Sequence, residues 1–163
     1  MLNKKQIIAV LLAFMLGLIL NDAYSELSSL ERPLSLFQDG IEKDSPGDWI
    51  KEDQIKVYND RVIINLKDAE WASFTNTNSM DPVLDEKANA IEIIPKSSDN
   101  IHVGDIISYN SDYADGTIIH RIIKIGSDEE GWYCIVKGDN NQSPDPGKIR
   151  FNQIKRVLVA IIY

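Results

Sequence analysis

The sequence predicts a mainly β domain behind a single N-terminal membrane-spanning helix. Three observations predict it. Residues 7–20, IIAVLLAFMLGLIL, are apolar without interruption and follow Lys4 and Lys5. From Ile55 onward, short runs rich in Ile and Val alternate with Gly, Asn, Asp and Pro, the pattern of short strands joined by turns. After residue 35 no long helical periodicity competes with it.

The first segment is read as an uncleaved anchor. A spanning helix needs about 20 apolar residues and tolerates roughly 17, a length reached by counting from Gln6 through Tyr24. A cleaved signal peptide is the alternative, but its cleavage site wants small residues at −3 and −1. Cutting after Ala23 would put Asn21 at −3. The lysines precede the segment, and Asp22, Glu26 and Glu31 follow it. That asymmetry keeps the N-terminus cytoplasmic and places the remainder outside. Residues 1–24 are therefore the cytoplasmic tip and anchor. Residues 25–54 form a helix and linker: 24–31 could continue as a short helix ended by Pro33, and QDGIEKDSPGD (38–48) is rich in turn residues.

Residues 55–163 are the β-rich domain. Its predicted strands are 55–58, 61–66, 71–74, 90–94, 104–109, 117–125, 132–137 and 154–162. The pair 117–125 and 132–137 flanks GSDEEG and reads as an antiparallel hairpin with a solvent-exposed tip. Along 117–125, Ile118, His120, Ile122 and Lys124 share one face, and Thr117, Ile119, Arg121, Ile123 and Ile125 the other. His120 and Arg121 thus each stand between isoleucines, and buried polar groups need partners.

Composition narrows the function. With 44% hydrophobic and 26% charged residues the chain is ordinary globular material. A net charge of −8 repels a phosphate backbone, so nucleic acid is excluded as a partner. The single cysteine, Cys134, lies in the apolar run WYCIV and reads as a small core residue. No Cys/His cluster has metal-ligand spacing, so neither metal nor cofactor is expected.

Three segments could carry chemistry. NTNSMDP (76–82) holds Ser79, which reads equally as a turn residue or as a nucleophile. A lone histidine on an apolar face is by default a satisfied core residue, yet His120 is the only attractive base in the chain. His102, in NIHVGD, falls at a loop edge and belongs on the surface, and no lysine lies centrally in an apolar run. The loop KGDNNQSPDPG (137–147) either caps its own backbone or supplies an aspartate to His120.

Together, and in this order, these segments resemble type I signal peptidases of the archaeal and endoplasmic-reticulum branch. The resemblance rests on Ser79-Met80-Asp81-Pro82, Val103-Gly104-Asp105-Ile106, His120-Arg121 and Gly138-Asp139-Asn140 with Asp145. It covers about residues 70–160 plus the anchor. It implies Ser79 as nucleophile, His120 as general base in place of the lysine of the bacterial branch, and Asp145 as the favoured orienting acid. Asp139 would support the loop or assist, and Thr77 with the Ser79 backbone would form the oxyanion hole. The implied function is removal of signal peptides from exported precursor proteins at a membrane surface. Two departures stand out: Asn78 where this branch often has Gly, and a long stretch, 83–101, between the serine box and VGDI. The alternative is a non-catalytic, membrane-tethered β-domain that binds an exported protein.

Overall fold

The computed structural model describes Gln6, residues 14–17 and residues 41–163. Gln6 and 14–17 are helical; the rest of the expected anchor and the helix at 24–31 lie outside the described residues. Among the described residues no helix is long and apolar enough to cross a membrane.

The domain is mainly β, with two antiparallel sheets. Its compact unit runs over Lys43–Tyr163. A small sheet pairs β1 (Ile55–Val57) with β2 (Val62–Ile64). Val57 and Val62 on this hairpin are exposed. The main sheet contains β3 (Glu70–Ser73), β4 (Asn89–Ile93), β5 (Ile106–Ser111), β6 (Ala114–Asp128), β7 (Gly131–Lys137), β8 (Ile149–Arg150) and β9 (Ile154–Ile162). Their order is β3-β4-β9-β5-β6-β7-β8.

The two faces of this sheet carry separate cores, because strand side chains alternate in direction. Ile107, Tyr109, Ile122, Cys134, Val136, Ile149 and Val157 pack on one; Met80, Leu84, Ala90, Ile106 and Leu158 pack on the other. Cys134 is fully buried, and burial alone pushes its thiol up to about 12. The thiolate is thus suppressed, as expected of a core cysteine.

β6 changes partners along its length. It pairs with β5 through Arg121 and with β7 from Arg121 onward. Among the described residues, no strand pairs with the β7-facing edge before Arg121. A register shift between Ile122 and Lys124 then ends the expected alternation, leaving both Ile123 and Lys124 exposed. The hairpin tip is tighter than the sequence implies, since Asp128 pairs with Gly131. Nor is it purely solvated: Arg150 donates to Asp128 at 2.8 Å and to Glu130 at 2.7 Å.

The VGDI segment does not begin a strand at Gly104. Gly104 has φ +100°, and a Cβ there would fall 2.5 Å from the Ser45 carbonyl carbon. Both facts demand glycine. The fully buried Asp105 carboxylate accepts from Gly47 N at 2.7 Å, Trp49 Nε1 at 3.0 Å and His102 N at 2.8 Å. It ties the stretch before β1 to the sheet, while the His102 side chain faces solvent.

Candidate active site

The site forms on β6 at His120, where β5 is the sole strand partner and β7 has not yet begun to flank it. The chain leaving β7 at Lys137 returns beside this place. It folds back so that Asp145 N donates to Val136 O at 2.9 Å. That return brings the Asp145 carboxylate to β6, where Oδ2 lies 2.6 Å from His120 Nδ1. The same oxygen accepts the Tyr109 hydroxyl from β5. The imidazole is buried at 7% exposure, and its Nδ1 is committed to the carboxylate, leaving Nε2 available. Tyr109 is driven above its ordinary value by burial first and by the bond to Asp145 next, so it stays a donor.

Asp139, in the same loop, has a different partner. Arg121 grips it with two parallel bonds, Nε to Oδ1 at 2.8 Å and Nη2 to Oδ2 at 2.7 Å. The remaining Arg121 nitrogen donates to Gly104 O at 2.8 Å. His120 and Arg121 therefore each find a carboxylate, one on either face of β6. Asp145 orients the histidine, and Asp139 locks the loop to the VGDI turn through arginine.

The Ser79 loop lies against this loop. Asn140 N donates to Ser79 O at 2.9 Å, Asn140 Nδ2 to Asn78 O at 3.0 Å, and Asp139 N to Met80 Sδ at 3.4 Å. Asn140 thus bridges to the serine loop rather than capping its own backbone. Asn78 has φ +58°, the left-handed conformation that asparagine tolerates better than most residues. Met80 is buried as the loop's apolar anchor.

Ser79 is half-buried, with Oγ 3.1 Å from Thr77 Oγ1. Its backbone N–H has no hydrogen-bond partner among the described residues. Ser79, Thr77 and His120 line one groove of about 470 Å³. In this state the serine hydroxyl turns to Thr77 and makes no hydrogen bond to His120. Ser73, Phe74 and Thr75 border the groove at the β3 end, and Thr117, Ile118 and Ile119 border it along the open edge of β6. Among the described residues no group of three or more His, Cys, Asp or Glu side chains could hold a metal ion.

Two residues at or beside the site escaped the sequence reading. Tyr109 could have been found only through strand register, which sets it two residues beyond Ile107, the partner of His120. Glu92 had a plain signal, a lone charge in the strand AIEII. It lines the groove at 6% exposure. Burial raises its carboxyl above the ordinary 4.5; a bond from Ser108 and the charge of Arg156 pull it partly back, and Glu70 raises it further. A carboxyl raised in the folded state binds its proton more tightly there than in the unfolded chain. Its contribution is therefore fully present below 4.5 and lost as pH rises through the raised value. Glu92→Gln should flatten this loss and unfold at higher urea than wild type near pH ~7, with the difference vanishing near pH ~4. A difference that grows in acid would refute the sign.

No family model, no curated protein and no solved structure matches the chain.

Proposed function

We propose that the protein is a membrane-anchored serine endopeptidase that removes signal peptides from exported precursor proteins, as the signal-peptidase resemblance implies. The observation that carries this reading is the His120–Asp145 pair opening onto the groove that also holds Ser79. With Nδ1–H given to Asp145, Nε2 can take the proton of Ser79 Oγ as that oxygen attacks the carbonyl carbon. This needs the serine hydroxyl to rotate away from Thr77, a change in keeping with hydrogen bonds that tighten only when substrate binds. The free N–H of Ser79 and the Thr77 hydroxyl are then the donors for the oxyanion. His120 returns its proton to the leaving amine, and water clears the acyl-enzyme.

An extended peptide suits the groove. The unpaired edge of β6 before Arg121 offers backbone groups to an added strand, and the segment 73–75 closes the other side. The N-terminal segment would hold the domain on the outer face of a membrane, beside its substrates in lipid, which raises their effective concentration.

The test is cleavage. The full chain in detergent, incubated with precursors that carry signal peptides, should release mature protein of defined mass. Ser79→Ala and His120→Ala should each lower the rate by about 10⁶-fold. Absence of cleavage by folded wild-type protein across several precursors would leave the tethered binding domain as the better reading.

A further inference from the structure

We propose that Glu92 forms the floor of a subsite that selects a substrate side chain carrying a hydrogen-bond donor. The occupant's identity as a peptide rests on the peptidase reading of the groove; the need for a donor rests on the carboxylate itself.

Glu92 is the penultimate residue of β4, just past a register shift against β9, where it lies beside Glu70 on β3 and Leu158 on β9. Polar neighbours Glu70, Ser108 and Arg156 act on it from one side, and the apolar cluster of Met80, Leu84 and Ala90, with Ala72 against it, belongs to the same sheet. An apolar residue would serve this core better, since a buried carboxyl costs free energy unless its oxygens are satisfied. Oε1 is not satisfied. It is the one buried side-chain nitrogen or oxygen among the described residues without a hydrogen bond. The nearest candidate cation, Arg156 on β9, is paired with Glu70 at 2.5 Å. Ser108 on β5 serves the same carboxyl and also lines the groove.

A donor on whatever fills the groove would complete the carboxyl. Glu92 shares that groove with Ser79 and His120, so the occupant is the reacting peptide. A serine or threonine hydroxyl can reach a floor set among small side chains, and a lysine ammonium supplies the same donor with charge. An apolar isostere such as valine would bury Oε1 without satisfying it. Discrimination built on an unpaired buried polar group is worth about tenfold or more.

The experiment separates binding from cleavage. Labelled precursor peptides, each with Ala, Ser, Val or Lys at successive positions, are titrated into full-length Ser79→Ala protein in detergent. One position should bind Ser or Lys about tenfold more tightly than Val. Glu92→Leu in the same background should erase that preference. Glu92→Gln should keep the preference for Ser, since its amide oxygen still accepts, and lose that for Lys. Urea unfolding of each variant verifies the fold. A preference that survives Glu92→Leu, no preference at any position, or no binding at all would overturn the proposal. Cleavage by the Ser79-bearing chain is scored separately. A Glu92-dependent preference without cleavage supports the subsite and removes the peptidase reading. Cleavage without such a preference does the reverse.

Discussion

Asp145→Asn is expected to lower the cleavage rate by about 10⁴-fold with the fold intact, the magnitude seen when a triad aspartate loses its charge. Asp145 Oδ2 accepts from both His120 Nδ1 and the Tyr109 hydroxyl. An amide can present its oxygen to both, or its NH₂ to the imidazole. In the first case the tautomer survives, but no negative charge stabilises the imidazolium that forms. In the second, Nδ1 becomes the acceptor, Nε2 carries the proton, and the base is lost. Asp139→Asn should behave differently. It breaks a bidentate pair whose side chains are 22% and 17% exposed, leaving the Arg121 guanidinium with one full partner, Gly104 O. The expected cost is up to about 3 kcal/mol of stability, with a smaller loss of rate. Turnover on one precursor, beside urea unfolding of both variants, decides between the two aspartates. Equal rate losses, or a larger one in Asp139→Asn, would reverse their roles.

That division of labour shows what was legible in the residues and what was not. Strands were legible because each is long enough to show its composition and its bounding turns. β8 was not, since two residues carry no period, and Ile149–Arg150 is a strand only because β7 offers it an edge. β5 starts at Ile106 rather than Gly104 because a buried aspartate and a positive φ build a turn there. Ser79, His120 and the two aspartates were visible as residue types in suggestive order. Which aspartate meets the histidine was not, because both occupy one loop and only its backbone path separates them. Asp139 is held at Met80 and Asp145 at Val136. Tyr109 depends on cross-strand register, which a single strand does not carry, whereas Glu92 showed as a lone charge in AIEII. The anchor stays an expectation from apolar length and flanking charge.

Gly138→Ala should lower the rate by about 10²-fold, the scale of an ångström of misplacement at a reacting centre. Gly138 is absent from the glycines with positive φ, so alanine there is not strained by its backbone conformation. The obstacle is approach. A Cβ at this position would lie 2.5 Å from the Ser79 carbonyl oxygen and 2.7 Å from Asn141 Nδ2. The Asn141 side chain can swing aside, but the Ser79 carbonyl is backbone and is already engaged by Asn140 N at 2.9 Å. The loop holding the Gly-Asp-Asn sequence and the loop holding Ser79 must therefore part. Asp139 resists from one side through its grip on Arg121, and buried Met80 resists from the other. The serine loop's polar tip, with Thr77 and Asn78 exposed, is the part free to yield. Overpacking of this kind costs about 1–3 kcal/mol of stability, but the larger effect falls on where Oγ and its N–H point. The loss should therefore appear in kcat, with KM little changed, because the groove walls at 73–75 and 117–119 are untouched. Wild-type kcat in a folded Gly138→Ala protein would mean that the serine loop is positioned by something other than its neighbour. A rise in KM alone would mean that the loop shapes the groove without aiming the nucleophile.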